Sequence, residues 1–154
     1  MDTPVFTSSV SYRDPKAALT WLADALGFEV TMAIEGPPDA PEMCHYEMSC
    51  AGRGRVMIGA EWSDQARSPI GIDGTNTQSL HVHLESDVDA HCERARAAGG
   101  EIIAEPSEQF YGDRVYQVLD PEGHRWSFST TVRTVTRAEA EAALGQPIIA
   151  TAWA

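Results

Sequence analysis

The chain has 154 residues, of which 43% are hydrophobic, and a formal net charge of −12. A chain of this length can bury one core, so we expect a single domain over residues 1–154. The acidic excess repels phosphate, which argues against nucleic acid or an anionic membrane surface as a partner. No stretch reaches the roughly 18 apolar residues of a membrane span, no signal pattern opens the chain, and three cysteines make no disulfide framework. We therefore expect a cytoplasmic protein with reduced thiols.

The first half of the chain predicts one helix among four strands. Asp14-Pro15 is typical of a helix start, and Gly27 of a helix end. Alternating or β-rich segments predict the strands. In this first module (residues 4–62) the strands are expected at 5–12, 28–34, 43–50 and 55–62.

The second half repeats this order after a polar linker at 63–78. Asp87 is expected to cap a second helix that ends at Gly99-Gly100. The strands of the second module (79–131) are predicted at 79–85, 101–104, 114–119 and 124–130, with a loop at 106–112 and a turn at 120–123. Thr136 and Glu139 form a capping-box pattern that opens a C-terminal helix in the last segment, 132–154.

The two halves are also similar residue by residue. Asp14 and Asp87 lie 73 positions apart, and the same shift relates Gly27 to Gly100. An internal repeat of a unit of this size predicts an α+β fold of two β-α-β-β-β modules. Each helix covers one face of its sheet, so the other faces are expected to line a cleft.

Two segments carry a resemblance to a known family. They are Tyr12 to Leu22 with Leu26-Gly27-Phe28, and Gly112-Asp113-Arg114 followed by Asp120 to Trp126. Over residues 5–130 the chain resembles the vicinal oxygen chelate superfamily, which includes glyoxalases, bleomycin-resistance proteins and extradiol dioxygenases. The resemblance implies paired modules, a U-shaped cleft and a homodimer.

The same resemblance locates the positions at which family enzymes hold a divalent metal. Those positions fall on Thr7, His81, Ser127 and the stretch 56–61, which contains Glu61. His81 alone matches the usual ligand type, and a stable site needs three or more nitrogen or oxygen ligands. We therefore expect no cofactor. A divalent metal held by His81 and His83, assisted by Glu61 or Ser127, is the alternative.

The polar face of the strand at 79–85 supplies most candidate site residues. His81 and His83 share a face because residues two apart on a strand point the same way. Arg114 is a candidate for a substrate carbonyl or anion, or for bracing the hairpin through Asp113 or Asp120. Trp126 and Phe128 are expected in the core, and His124 on the surface. The full candidate set is Thr7, Met57, Glu61, His81, His83, Phe110, Tyr111, Arg114 and Ser127.

These observations predict a protein that binds a small organic molecule in its cleft. The ligand is expected to be hydrophobic or aromatic, and the net charge of −12 favours a cationic one. The alternative is a metal-dependent lyase, isomerase or dioxygenase of the glyoxalase type with noncanonical ligands. A metal-free isomerase would use His81 or Glu61 as its general base.

Overall fold

The computed structural model describes Pro4 and residues 6–153. Within these residues, eight strands and three helices follow one another, with short 3₁₀ turns at Pro41–Met43 and Pro69–Gly71. The strands are β1 Ser8–Tyr12, β2 Phe28–Ile34, β3 His45–Cys50, β4 Arg53–Ala60, β5 Ser79–His83, β6 Glu101–Glu108, β7 Asp113–Leu119 and β8 Arg125–Thr131. The helices are α1 Pro15–Leu26, α2 Val88–Ala97 and α3 Arg137–Leu144.

The strands form two sheets with the same topology. Their orders are β1-β4-β3-β2 and β5-β8-β7-β6. In each sheet the first strand runs parallel to the last, and the remaining pairs are antiparallel. The predicted α+β fold of two β-α-β-β-β modules with a C-terminal helix is confirmed.

Local sequence signals account for the ends of the helices. The Asp14 carboxylate accepts a 3.0 Å hydrogen bond from the Ala17 N–H, and Gly27 closes α1 with φ of 73°. The Asp87 carboxylate caps α2, and Thr136 with Glu139 forms the predicted capping box of α3. Each N-terminal cap satisfies backbone N–H donors that have no partner inside the helix, and the Gly27 N–H donates to carbonyls of the last turn of α1.

One hydrophobic core joins the two modules. The modules meet through α1 and α2, and buried residues of both helices and both sheets form a single cluster. Trp126 and Phe128 are fully buried, as the alternation predicts, and the Trp126 ring lies 5.4 Å from that of Phe28. The helix-free faces therefore point away from the core.

Three local expectations are wrong. β6 continues to Glu108 through the predicted loop, since Pro106 lies where the register with β7 shifts and needs no ladder N–H. β4 ends at Ala60, which leaves Glu61 in the following segment. His124 is only 4% exposed, because its imidazole donates a 2.8 Å hydrogen bond to the Ser11 carbonyl.

Candidate functional site

One end of the junction between the modules is closed around a buried carboxylate. The Tyr12 hydroxyl donates to Asp120 at 2.6 Å, and the Trp126 indole N–H donates to it at 3.1 Å. The backbone N–H groups of Glu122 and His124 donate to its second oxygen at 3.0 Å. Four donors thus saturate the Asp120 side chain. The turn at 120–123 therefore serves to join the modules.

Glu122 extends this closed end to the first helix. Its carboxylate accepts hydrogen bonds from the backbone N–H groups of Arg13 and Asp14, at 2.7 and 2.9 Å. It also accepts a hydrogen bond from the Ser68 hydroxyl. A residue of the second module therefore fixes the segment that enters α1.

The other end of the junction is open. A cavity of about 710 Å³ runs along β5 and continues to Ser86, facing Ser8, the β3–β4 turn and the start of β4. We call it the inter-sheet cavity. Its volume lies within the roughly 300–1,000 Å³ range of small-molecule sites. Its apolar wall combines both modules: Leu26, Phe28, Met48, Leu80, Val82 and Trp126.

The arginines that line the inter-sheet cavity already have acceptors. Arg53 forms an ion pair with Glu85 across its rim, and Arg55 pairs with Glu47 at 3.1 Å. Arg94 donates to two carbonyls in the last turn of α1, at 2.7 and 2.8 Å. The three guanidinium groups therefore brace the walls of the cavity.

His91 also lines the cavity with both ring nitrogens engaged. Its Nε2 donates to the Leu26 carbonyl at 3.0 Å, which fixes the tautomer because a carbonyl can only accept. Its Nδ1 then accepts from the Tyr116 hydroxyl at 2.6 Å. Burial lowers the pKa of this imidazole below its usual value. The neutral ring thereby ties α2 to the end of α1.

His81, His83 and Ser127 lie close together on the helix-free side of β5 and β8. His81 Nε2 and His83 Nδ1 contact the Ser129 hydroxyl oxygen at 2.9 and 3.2 Å. Ser127 pairs with His81 in the sheet register and is 6% exposed. The two exposed histidines also line the inter-sheet cavity, so its rim is polar on this side.

The candidates from the first module do not join this group. Thr7 precedes β1, and Met57 lies half-buried on β4. Glu61 accepts hydrogen bonds from the Ser68 N–H at 2.9 Å and the Arg67 guanidinium at 3.2 Å. These donors lower the pKa of the Glu61 carboxyl, which makes it a weaker base.

The candidates from the β6–β7 region lie outside the inter-sheet cavity. Arg114 makes two 2.7 Å hydrogen bonds to Asp89 of α2, so the expected pairing with Asp113 or Asp120 is wrong. Phe110 and Tyr111 pack edge to face with ring centroids 5.2 Å apart, and each is 37% exposed. Their aromatic surface is available to solvent but is not part of the cavity wall.

The side chains at the metal-ligand positions of the family that the sequence resembles are not a metal-binding set. Within Pro4 and residues 6–153, no group of three or more His, Cys, Asp or Glu side chains is positioned to hold a metal ion. The equivalent positions carry hydroxyl side chains at Thr7 and Ser127, and the Glu61 carboxylate is engaged by its own neighbours.

Sequence reasoning missed the wall that the first module contributes to the cavity. Phe28 and Met48 have the pattern of ordinary core residues, and each is less than 7% exposed. Their position beside a cavity depends on how the two modules meet. No local signal in the sequence reports that arrangement.

Comparison with solved structures identifies proteins of similar fold. TioX from Micromonospora sp. ML1 is 29% identical, with a TM-score of 0.61 over 86% of this chain and 100% of that one. TnmS3, an antibiotic binding protein from Streptomyces sp. CB03234, is 18% identical, with a TM-score of 0.64 over 84% of this chain and 98% of that one. The second likeness concerns the fold alone.

Two curated mycobacterial proteins, both uncharacterized, match part of the sequence. The proteins from Mycobacterium bovis and Mycobacterium tuberculosis are 37% identical over 81 residues, or 52% of this chain. The matched region spans 51% and 46% of their lengths, so the chain covers about half of each relative.

The remaining findings concern membrane-spanning helices and family membership. No helix in the described part of the chain is long and apolar enough to cross a membrane. The family model for the Glyoxalase/Bleomycin resistance protein/Dioxygenase superfamily matches residues 7–128. This match covers most of both modules, and the chain belongs to that superfamily.

Proposed function

We propose that the protein binds a small organic molecule in the inter-sheet cavity and does so without the usual metal of its family. The main support for this proposal is an open cavity of about 710 Å³ whose apolar wall comes from both modules. Such a wall contributes binding free energy in proportion to the apolar area that a ligand covers. A fold neighbour, TnmS3, is an antibiotic binding protein, which is consistent with this class of ligand.

The apolar wall favours a ligand with an aromatic or aliphatic body, and the arginines of the lining disfavour an anion. Arg53, Arg55 and Arg94 are engaged by carboxylates or carbonyls, so an anionic ligand would have to break these contacts or remain without a partner. A cation is favoured by the Glu29 carboxylate in the lining and by the net charge of −12, although salt screens the effect of net charge beyond about 8 Å.

A fluorescent apolar probe tests this proposal directly. N-phenyl-1-naphthylamine is titrated into the wild-type protein and into Val82→Arg, which puts a charged side chain into the cavity wall. The matched control is Val115→Arg, since Val115 is also a half-buried valine of the second module but faces the helix-free side. We expect Val82→Arg to weaken binding at least tenfold and Val115→Arg less than threefold. The reverse order would move the ligand to the helix-free face and contradict the proposal.

Metal content provides the second test. The purified protein is incubated with nickel, zinc, manganese or iron(II), desalted and analysed for bound metal. The proposal expects well below one ion per chain. Stoichiometric metal that is lost in His81→Ala would contradict the proposal and favour the enzyme alternative.

We also propose that the protein forms a homodimer. Met32 and Ile34 on the edge strand β2 share one face beyond the register shift that follows Val30, and they are 42% and 52% exposed. A second copy would remove these apolar side chains from water. Sedimentation of wild-type protein and Ile34→Lys tests the idea. A wild-type protein that sediments as a monomer at every concentration would contradict it.

A further inference from the structure

The inter-sheet cavity is bounded by a strand edge as well as by side chains. β5 lies at the edge of its sheet, and among the strands that the structure describes it pairs with β8 alone. All residues from Ser79 to Ser86 contribute to the cavity lining. The backbone groups on the outer edge of β5 therefore face the same space as the apolar wall.

The hydrogen bonds to β8 identify which backbone groups point outward. The Leu84 N–H donates to the Ser129 carbonyl at 2.7 Å, so the backbone of Leu84 faces β8. Successive residues of a strand direct their N–H and C=O groups to opposite sides. Val82 and Leu80 therefore also face β8, whereas Ser79, His81 and His83 present their N–H and C=O groups to the cavity.

The edge of β1 differs from that of β5. The Ser9 carbonyl accepts a 2.9 Å hydrogen bond from the Gln78 side chain, and the Ser11 carbonyl accepts one from His124. Within Pro4 and residues 6–153, the structure records no comparable side-chain bond to the backbone of His81 or His83. A buried or ligand-covered backbone group without a partner is costly, so a ligand in this cavity should satisfy these groups.

We propose that the ligand is an extended, amide-bearing chain, such as a short peptide or peptide-like compound, that pairs with the outer edge of β5. This inference rests on the proposed function and specifies its ligand class. Matching amides would repeat about every 6.7 Å along the strand. Alternate ligand side chains would lie against Leu80 and Val82 on one side and beside His81 and His83 on the other. Addition of a strand to an exposed edge is an established mode of peptide recognition.

Selective N-methylation of a peptide probe tests the pairing. The probe is dansyl-Val-Thr-Val-Thr-Val-amide, and two derivatives carry N-methyl groups on either the valines or the threonines. Only one set of amides can face β5, so one derivative should bind at least tenfold more weakly, as expected for two or three lost hydrogen bonds of about 0.5–1.5 kcal/mol each. The other should change less than threefold. Equal effects from both derivatives, or none from either, would overturn the proposal.

A pair of protein variants tests the same pairing by changing the β5 edge in place of the peptide. His83→Pro removes an outward N–H without removing a bond to β8, whereas His83→Ala removes the imidazole and keeps the N–H. We expect the loss of peptide affinity to be several-fold larger in the proline variant. Equal losses would overturn the pairing. If His83→Pro does not fold, the N-methylated peptides still decide the matter.

N-phenyl-1-naphthylamine separates this inference from the proposed function. If it binds and the peptide does not, the amide inference is overturned and the cavity remains a small-molecule site. If neither binds, both proposals are overturned. A wild-type dimer that dissociates in His83→Pro would show that a second copy occupies the β5 edge, which also overturns the peptide proposal.

Discussion

The two ends of the junction between the modules differ in how their polar groups are used. At the closed end, the Asp120 carboxylate accepts four hydrogen bonds, and the aromatic rings of Tyr12 and His124 lie 4.7 Å apart. At the open end, the ion pair of Arg53 with Glu85 spans the rim of a cavity. The closed end is buried, whereas both side chains of this ion pair are more than 60% exposed.

The difference implies that, within one interface between modules, the closed end stabilises the fold and the open end is free to bind a ligand. A buried network is costly to disrupt because each broken bond leaves a group that water cannot reach. An exposed ion pair contributes little because water solvates both charges. The segment at 120–126, which is part of the resemblance to the family, belongs to the closed end. This segment therefore indicates the fold of the chain and does not identify its ligand.

The largest loss of stability is expected from Asp120→Asn. The amide replaces one acceptor oxygen with a donor, which leaves the buried indole N–H of Trp126 facing another donor. We expect a decrease in the free energy of unfolding of about 2–4 kcal/mol, measured by urea denaturation. The control is Asp24→Asn on the exposed face of α1, for which a change below about 0.5 kcal/mol is expected. Similar losses in both variants would remove the distinction between the two ends.

Glu122→Ala should give the next largest effect. It removes the acceptor for the backbone N–H groups of Arg13 and Asp14, which lie at the start of α1. We expect a loss of about 1–2 kcal/mol in urea denaturation, comparable to that of other helix caps. The control Glu42→Ala changes an exposed glutamate in the Pro41–Met43 turn. A variant as stable as the control would show that the second module does not fix α1.

The pH dependence of folding stability tests the burial of His91 in the cavity wall. Burial lowers the pKa of His91 in the folded protein below the value of 6.5 that applies without burial. As pH falls below about 6.5, the unfolded chain binds the proton first, so folding stability decreases until the folded-state pKa is reached. His91→Gln should flatten this part of the profile between pH 7.5 and 5. Urea midpoints measured at several pH values provide the check, and an unchanged slope would contradict it.

The smallest effect is expected from the open end. The double variant Arg53→Gln/Glu85→Gln removes an ion pair whose side chains are 67% and 78% exposed. The free energy of unfolding should change by less than about 0.5 kcal/mol. A loss as large as that of Asp120→Asn would mean that the open end also holds the modules together.

The sequence predicted those features whose causes lie within a few residues. Asp14 caps α1 through an N–H only three positions away, and the capping box of α3 has the same spacing. The alternation of β8 placed Trp126 and Phe128 in the core because a strand next to a hydrophobic core has two distinct faces. Such signals are sufficient to determine the modules.

The partners of several polar groups could not be predicted, because they come from distant parts of the chain. His124 bonds to Ser11, which is 113 positions away, and Arg114 bonds to Asp89 rather than to its neighbours. The candidate site depends on the same kind of information. His81 and His83 were found from their strand pattern, whereas Phe28 and Met48 join the cavity only through the packing of one module against the other.

The bond between Tyr12 and Asp120 also constrains the order of events during synthesis. The two residues are separated by 108 positions, and the acceptor for the start of α1, Glu122, is equally distant. The last strand of the first module ends at Ala60, 60 residues before Asp120. At translation rates of about 5–20 residues per second, the first module therefore waits roughly 3–12 s for these partners. During that interval its core-facing surface has no second module to cover it. A nascent chain arrested before Asp120 should therefore be a substrate for chaperones, and release of the turn at 120–123 should end that dependence.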